Sequence, residues 1–346
     1  MAPHISVDDR RQRLVARHRL SRTAADVRQA VAGVVAVHSS DPATPYLSMW
    51  ARVTGFTGEA LEHALYDERT LWRLHAMRST LFVVSADDAA MLAGAVGAAN
   101  AAGQRQRLEQ WLAPDMDNNA AARLAELEES IMAVLADGGQ YRTSELAAAV
   151  PGLGTELSVG SGKWAARVRL SSRLPLIMAM EGRIVRARPA GTWRSSQYSW
   201  VAVDRWFGQQ PPTVDPPTAR AELVKRYLAA YGPATMTDVR WWTGWTARDS
   251  RAALAAAGAD AVGLANGAEG FVAQGDFEPT PAGGDSVALL PGLDSTPMGW
   301  KERAWYLGEH GAPLFDRNGN VGPTVWVDGR IVGGWGQRPD GTIVYR

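Results

Sequence analysis

The hydrophobic and polar positions along the chain predict one order of elements that recurs three times, namely three helices followed by two strands. In the first copy, Thr23 and Thr57 stand where N-caps are expected, and Pro45 suits the first turn of a helix. The predicted elements of this copy are helices at 23–37, 45–53 and 57–68 and strands at 71–77 and 79–85.

Two further copies follow, separated by a linker at 204–220 that carries four prolines. The first helix of the second copy is expected to end at Gly138-Gly139, and its two strands are expected to turn around the sequence "PAG". The second copy comprises predicted helices at 119–139, 142–150 and 163–182, the last interrupted by Pro175, and a hairpin within 183–203. The third copy comprises predicted helices within 219–258 and two weak strands within 261–275.

From Val287 onward the chain is rich in strand and turn signals, and "VDGR" at 327–330 is typical of a hairpin turn. Three helices followed by a β-hairpin form the winged-helix arrangement, a variant of the helix-turn-helix. We therefore predict an α+β protein of three tandem winged-helix units with a β-rich carboxyl-terminal part; the alternative is an unspecific α+β fold. The predicted units are residues 1–110, 111–205 and 206–346, the last including the linker.

The composition excludes several classes of protein. The 346 residues are 46% hydrophobic and 21% charged, which is typical of a soluble globular chain with a large core. No cysteine is present, so disulfide bonds and thiolate catalysis are excluded and a reducing compartment is expected. The polar amino terminus lacks the apolar segment of a signal peptide, and the apolar run 30–37 is too short to cross a bilayer. We expect a cytoplasmic monomer without membrane association.

Positive charge is concentrated in the second copy, although the net charge of the chain is zero. Between Gly160 and Arg194, eight basic residues stand against the single acid Glu181, a local excess of seven positive charges. Such a basic stripe is expected where a protein contacts a polyanion such as nucleic acid, whereas the alternative is a solvated face. The eight residues are Lys163, Arg167, Arg169, Arg173, Arg183, Arg186, Arg188 and Arg194.

A cluster of hydrogen-bonding side chains follows an apolar run in the stretch "VAVHSSDPATPYLSMWAR". His38, Ser39, Ser40 and Asp41 stand next to one another there. Serine and aspartate are good N-cap residues, and aspartate before proline commonly opens a turn, so a capped turn is one interpretation. The other is a functional site at a helix end, because imidazole, hydroxyl and carboxylate groups can position water and accept protons.

Six stretches of the chain carry a resemblance when they are taken in order: "VAVHSSDPATPYLSMWAR", "MRSTLFVV", "SSRLPLIMAMEGRIVRARPAGTWRSSQYSW", "YGPATMTDVRWWTGWT", "LLPGLDSTPMGWKERAWYL" and "LFDRNGNVGPTVWVDGRIVGGW". Together they resemble the bacterial tandem winged-helix DNA glycosylases of the AlkZ/YcaQ type, from about Ser21 to the end of the chain. The resemblance implies three winged helices around a channel for duplex DNA. It also implies excision of N7-alkylated purines or crosslinks, in DNA repair or in self-resistance to alkylating antibiotics. On the same ground a further short helix is expected after Arg346.

The catalytic signature of that family is Gln-x-Gln or Gln-x-Asp after the first long helix. The corresponding positions here hold His38, Ser39 and Ser40, followed by Asp41, so both glutamines are absent. An N7-alkylated base is cationic and leaves readily, so the site mainly has to stabilise an oxocarbenium-like sugar and hold a water. We assign His38 as the residue that orients the water and as a candidate base, Ser40 as a second water ligand, and Asp41 as electrostatic support.

Candidate DNA contacts lie elsewhere in the chain, each with a structural alternative. Basic residues and serines of the second copy's third helical region can bind phosphates, or can keep that helix soluble and cap the next one. Residues that leave the second copy's hairpin turn can contact DNA as a wing. Lys301 and Arg303 flank Glu302 and could instead pair with it. The candidates are Arg78, Lys163, Arg167, Arg169, Ser171, Ser172, Arg173, Trp193, Arg194, Ser195, Ser196, Gln197, Lys301 and Arg303.

No metal site and no cofactor are predicted. The six histidines lack metal-ligand spacing, "DRNGN" lacks the glycine and the closing glutamate of a calcium loop, and "GSGKW" does not fit a phosphate loop. The main hypothesis is a monofunctional DNA glycosylase acting on alkylated purines in duplex DNA. The alternatives are a non-catalytic winged-helix DNA-binding protein, such as a regulator or damage sensor, and an interaction module without DNA affinity.

Overall fold

The first of the three predicted copies, called the first repeat from here on, consists of short helices packed on a three-stranded antiparallel sheet. The structure is a computed structural model, which describes residues 3–115, 119–160, 162, 165–209, 212–281 and 285–346. The elements of the first repeat, after β1 (His4–Ile5) and α1 (Val7–Arg17), are α2 (Val27–Gly33), β2 (Ala36–His38), α3 (Ala43–Trp50), α4 (Gly58–Glu62) with the π-helical turn His63–Asp67, β3 (Leu71–His75), the 3₁₀ turn Met77–Ser79 and β4 (Leu81–Ser85). The strand order is β2-β4-β3, which places the last strand in the middle.

The predicted helix at 23–37 is wrong at both ends. Asp26, not Thr23, caps the helix, and its side chain accepts the N–H of Gln29 (2.8 Å). The helix ends at Gly33, and the valine-rich residues after it form β2 instead. Because β-branched side chains favour extended backbone, this run becomes a strand as soon as the helix has stopped. The predicted cap Thr57 is confirmed for α4.

A long helical segment that the sequence analysis missed follows the first repeat. It comprises α5 (Ala86–Leu92), the π-helical turn Ala93–Gly97, α6 (Ala98–Leu112) and the 3₁₀ turn Ala113–Asp115. At Gly94 the linker passes so closely that a Cβ atom would lie 2.4 Å from the carbonyl oxygen of Val214. Only glycine permits this approach of backbone to backbone.

The second repeat has its own hydrophobic core and an additional hairpin. Its elements are α7 (Ala120–Leu135), β5 (Tyr141–Arg142), α8 (Thr143–Ala149), β6 (Glu156–Val159), β7 (Ala166–Arg169), the 3₁₀ turn Leu170–Ser172, α9 (Leu174–Met180), β8 (Ile184–Pro189), β9 (Tyr198–Ala202) and α10 (Val203–Phe207). The sheet order is β5-β9-β8, and β6 pairs with β7 alone. The helix predicted over 163–182 therefore begins only at Leu174, since the alternating residues before it pair as a strand.

The third repeat includes the last residues of the linker and a strand from the start of the chain. Its elements are α11 (Pro216–Tyr231), α12 (Met236–Thr243), α13 (Ala247–Ala256), β10 (Asp260–Leu264) and β11 (Glu269–Val272). The sheet order is β1-β10-β11, with β1 parallel to β10, and Ala234 forms an antiparallel bridge to Phe271 on the other side of β11. Thr235 and Thr246 cap α12 and α13 through their side-chain oxygens.

The carboxyl-terminal part forms a four-stranded antiparallel sheet, so the predicted α+β class and β-rich end are both confirmed. Its elements are β12 (Val287–Leu290), α14 (Ala304–Leu307), the 3₁₀ turn Gly308–His310, α15 (Gly311–Leu314), β13 (Thr324–Val327), β14 (Arg330–Gln337) and β15 (Ile343–Tyr345). At the predicted hairpin turn, Asp328 (φ 48°) and Gly329 (φ 73°) both adopt the left-handed conformation that a type I′ turn requires.

All three repeats show one topology. In each, a helix, a short extended segment, two helices and two strands follow one another, and the last strand lies between the other two. The first and third repeats contribute to one continuous core, whereas most of the second repeat packs around another. Within the described ranges, no helix combines the length and the apolar character needed to span a membrane.

Candidate active site

His38 lies on the outer strand of the first sheet, with its edge covered by a loop from the carboxyl-terminal part. The backbone N–H of His38 donates to Ser295 Oγ (3.2 Å), and that hydroxyl donates to the carbonyl oxygen of Ala36 (2.7 Å). The hydroxyl of Ser295 therefore pairs with two backbone groups that a neighbouring strand would otherwise bind at this edge of the sheet. It fixes the backbone of His38, whose side chain is only 5% exposed.

The imidazole of His38 is held in one orientation and one protonation state. The backbone N–H of Ser40 donates to its Nδ1 (3.4 Å), and the ring of Phe82, its cross-strand neighbour, packs edge-on at 5.0 Å. Burial lowers the pKa of His38 to about 4, and the charge of Arg78 adds to this effect against the opposite influence of Asp41. The ring is therefore neutral near pH 7. Because Nδ1 accepts a hydrogen bond, the proton resides on Nε2, which is a donor.

A small cavity adjoins the imidazole. It offers about 10 Å³ for the centre of a water molecule, which is room for about one water. Its walls come from the first repeat, from α12 of the third repeat and from the carboxyl-terminal part. They combine apolar side chains with one imidazole, one guanidinium and one hydroxyl. The lining residues are Ala36, His38, Met77, Arg78, Phe82, Trp242, Ser295 and Met298.

The three residues after His38 have different environments. Ser39 is buried, whereas Ser40 and Asp41 are exposed. The carboxylate of Asp41 accepts the backbone N–H of Ala43 (3.1 Å) and the hydroxyl of Thr44 (3.4 Å), so it caps the start of α3. Asp41 therefore has the structural role that the capped-turn interpretation assigns to it, and its carboxylate also remains open to solvent.

A buried ion pair anchors the loop that carries Ser295. The carboxylate of Asp294 accepts two hydrogen bonds from Arg52 (2.7 and 2.9 Å) and one from the hydroxyl of Ser48 (2.6 Å). The side chain of Arg52 is 1% exposed and that of Asp294 is 0% exposed. The motif "LLPGLDSTPMGW" thus contains two positioning residues, Asp294 and Ser295, that the sequence analysis did not single out. Their signal is a run of three polar residues, Asp294 to Thr296, inside an otherwise apolar segment.

Arg78 and Arg303 meet near this cavity. Both guanidinium groups lie over the ring of Trp241, at 4.3 and 4.8 Å from its centre, and Arg303 also lies 4.4 Å from the ring of Phe315. Partial burial and the charge of Arg303 lower the pKa of Arg78, and burial lowers that of Arg303. Lys301 is exposed, and its backbone N–H donates to a buried Asp238 carboxylate (2.8 Å).

Among the described residues of the basic stripe, four arginines contact acidic side chains. Arg167 and Arg169 each contact Glu156 at 3.3 Å, and Arg183 pairs with the buried Glu128 (2.6 Å). Arg188 pairs with acids of the first repeat, and the half-buried Arg186 lies 5.2 Å from the ring centres of both Tyr198 and Trp200. Arg173 lies 6.0 Å from the ring of Trp111, Ser171 is buried, and Ser172 donates to the carbonyl oxygen of Arg169 (2.7 Å). Lys163 lies outside the described residues.

The hairpin loop of the second repeat, residues 190–197, lies against the first repeat. The ring of Trp193 packs at 5.1 Å on Tyr46 of α3, the helix that Asp41 caps, and remains 39% exposed. Ser195 Oγ accepts the backbone N–H of Gln197 (3.1 Å), which tightens the loop. Arg194, Ser196 and Gln197 are exposed. The structure thus brings this predicted wing close to the helix that follows the His38 cluster.

Comparisons with known proteins agree with this architecture. A family model described as "DNA glycosylase AlkZ-like" matches residues 31–345. The solved structure of the Streptomyces sahachiroi DNA glycosylase AlkZ matches with a TM-score of 0.75 at 19% sequence identity, over 99% of this chain and 90% of that one. A search of curated protein sequences finds no match. Among the residues that the structure describes, no cluster of three acidic or histidine side chains could hold a metal ion.

Proposed function

The chain belongs to the AlkZ-like DNA glycosylase family, and on this premise we propose that it hydrolyses the N-glycosidic bond of N7-alkylated purines in duplex DNA. The substrates are small alkyl adducts or bulky adducts and crosslinks of the kind that alkylating antibiotics form. We further propose that the three repeats are winged-helix units, arranged around a channel that holds the duplex.

The reaction places few demands on general acid catalysis. Alkylation at N7 gives the purine a positive charge, so the base leaves without strong protonation. The protein has to expose the glycosidic bond, stabilise the cationic sugar that forms, and hold a water molecule on the open face of that sugar. Hydrogen-bonding groups fixed before the reaction perform these tasks without reorganisation.

The fixed imidazole of His38 beside a cavity of one-water size is the observation that carries the proposal. A neutral ring with its proton on Nε2 donates a hydrogen bond to a water or to a sugar oxygen. In this geometry His38 orients the nucleophile, and it becomes a base only if Nδ1 gives up the N–H of Ser40. Ser40 and Asp41 do not line this cavity, so the exposed hydroxyl and carboxylate act from its outer side, the first as a ligand for a water that reaches the sugar and the second by stabilising positive charge on the sugar.

Excision from a defined duplex tests the proposal. A duplex that carries N7-methylguanine is incubated with the protein, and free base and abasic sites are quantified. We expect His38→Ala to reduce excision by about 100-fold or more, with duplex affinity unchanged. His63→Ala is the matched control, since this histidine has a 60% exposed side chain on the π-helical turn after α4. Full activity of His38→Ala would contradict the assigned role.

A non-catalytic DNA-binding protein is the second candidate function. Two observations favour it: both family glutamines are absent, and the lone pair of His38 is already engaged by a backbone N–H. Such a protein would bind duplexes containing N7-methylguanine or a natural-product guanine adduct without releasing base from any of them. Release of free base from either adduct decides for the glycosylase.

A further inference from the structure

Two arginines from remote parts of the chain share one indole ring. Arg78 belongs to the β3–β4 turn, Arg303 precedes α14, and Trp241 lies on α12. Their guanidinium carbons lie 4.3 and 4.8 Å from the ring centre. Two like charges are thereby held against one ring, and the charge of Arg303 lowers the pKa of Arg78, so an anion bound to both would relieve their repulsion.

No carboxylate of the described part of the chain forms an ion pair with either arginine. This contrasts with the second repeat, where Arg167 and Arg169 share the carboxylate of Glu156. Arg303 donates through Nε to the carbonyl oxygen of Trp300 (2.8 Å) and through Nη1 to that of Gly319 (3.4 Å), which leaves its Nη2 donors available. Arg78 forms no side-chain hydrogen bond within the described residues.

The backbone of Arg78 indicates that its side chain has a purpose beyond the turn. Arg78 (φ 53°) and Ser79 (φ 60°) both adopt the left-handed conformation, which is unfavourable for residues with a Cβ atom. Glycine or asparagine would form the same turn with less strain. The turn therefore does not account for arginine at this position, whereas a task for the guanidinium group does.

The pair lies beside the candidate active site. Arg78 lines the same cavity as His38, and Trp242, the neighbour of Trp241, forms another wall of it. An anion between the two arginines would accordingly sit next to whatever group faces His38. Guanidinium groups bind phosphate oxygens in a bidentate manner, and two of them around one phosphodiester leave no unpaired phosphate charge.

We propose that Arg78 and Arg303 together bind the non-bridging oxygens of one backbone phosphate, adjacent to the nucleotide presented to His38, and that Trp241 positions both guanidinium groups. The identity of the anion rests on the proposed function, which places duplex DNA at this site. The first repeat and the carboxyl-terminal part thereby hold the substrate jointly, with Trp241 of the third repeat between them.

Neutral backbone linkages test this proposal. A short duplex with a tetrahydrofuran abasic analogue at its centre cannot be cleaved by a glycosylase, and methylphosphonate linkages can replace its phosphates one at a time. We expect one flanking linkage to weaken binding of the unmodified protein about tenfold. In Arg78→Asn the same linkage should have a clearly smaller effect, since one of the two partners of that phosphate is already gone. Asparagine suits because it tolerates the left-handed backbone.

Further variants separate charge removal from misfolding. Arg303→Gln should likewise reduce sensitivity to that linkage, whereas Arg107→Gln, at an exposed position of α6, should retain it in full. Trp241→Leu should lose most of the sensitivity and Trp241→Phe should regain it, since a second aromatic ring can again hold the arginines. Each arginine variant should lower the slope of log affinity against log salt by about one.

The possible outcomes are distinct. Unchanged linkage sensitivity in Arg78→Asn and Arg303→Gln would overturn the proposal, even if the protein excises alkylated purines normally. Sensitivity that falls in each of the two variants would support it, even if no base is released and the glycosylase activity proves absent. Protection of Arg78 from chemical modification by inorganic phosphate, without any linkage effect in DNA, would assign the two arginines to a free anion. That result would overturn the contact with the DNA backbone.

Discussion

Acid should destabilise this protein between pH 7 and pH 5, through three histidines buried in the neutral form. Burial lowers the pKa of His38 to about 4 and those of His18 and His75 to about 3. In each case an arginine adds to the effect: Arg78 beside His38, Arg52 beside His18 and Arg186 beside His75. All three rings must acquire a proton more readily in the unfolded chain than in the folded one.

The size of the effect follows from these pKa values. An unfolded histidine has a pKa of about 6.5, so the unfolded state binds more protons below that pH and stability falls as the pH falls. The contribution is complete above pH 6.5 and is lost progressively toward the folded pKa. At pH 5 the difference amounts to about 2 kcal/mol for each histidine, or about 6 kcal/mol for the three. This is comparable with the whole stability of an ordinary domain, about 5–15 kcal/mol.

Urea unfolding at pH 7 and pH 5 measures the loss, since carboxyl groups with ordinary or lowered pKa values stay ionised over this range. His38→Gln should remove about a third of the pH dependence, and it introduces the residue that the sequence resemblance implies at this position. A free energy of unfolding that is the same at both pH values, or a full loss retained in His38→Gln, would refute the reasoning.

Three further changes address the supports of the site. Asp294→Asn should lower the free energy of unfolding by about 3–5 kcal/mol in urea titrations, since it leaves the buried guanidinium of Arg52 unpaired, and joint replacement of both by leucine and methionine should recover most of it. Asp41→Ala should cost about 1 kcal/mol by thermal unfolding through loss of the α3 cap, whereas excision by Asp41→Asn reports the charge separately. Arg167→Gln should leave the salt dependence of duplex binding unchanged in anisotropy titrations, because Glu156 already neutralises it.

The sequence pattern locates most elements because their signals are local. Thr57 and Thr246 cap helices as side-chain acceptors, and the "VDGR" turn provides the two left-handed residues of its hairpin. Errors occur where neighbouring chain decides the outcome. Residues 36–38 become a strand because β4 is available to pair with them, and residues 166–169 become one because β6 is. The long segment from α5 to α6 escapes notice since its alanine-rich sequence has little amphipathic contrast.

The electrostatic prediction illustrates a different limit. Counting charges along the chain identifies a basic stripe in the second repeat, but ion pairing depends on residues far away in sequence. Glu62 and Asp67 of the first repeat neutralise Arg188, and Glu128 of α7 neutralises Arg183. Arg78 and Arg303, which form no ion pair with a carboxylate of the described residues, are inconspicuous in the sequence because 224 intervening residues separate them.

The same distinction between neighbouring and distant residues applies to the candidate site. The cluster from His38 to Asp41 is contiguous and therefore visible in the sequence, whereas the groups that give it a defined chemistry come from elsewhere. Ser295 fixes its backbone and Trp242 closes its cavity, and both lie about 200 residues or more along the chain. The protonation state of the ring depends on this surrounding structure, so residue type alone leaves the choice between donor and base open.

Histidine in place of the family's glutamine becomes chemically reasonable once the ring is known to be neutral. A carboxamide carries one donor group and one acceptor, and so does a neutral imidazole; a protonated ring has two donors and would repel a cationic base. Burial and the charge of Arg78 both keep the ring neutral. If a backbone phosphate binds Arg78, part of that charge is compensated and the pKa of His38 rises toward its ordinary value. Substrate binding would thereby move the imidazole closer to a group that can accept a proton from water, at the moment when the nucleophile is in place.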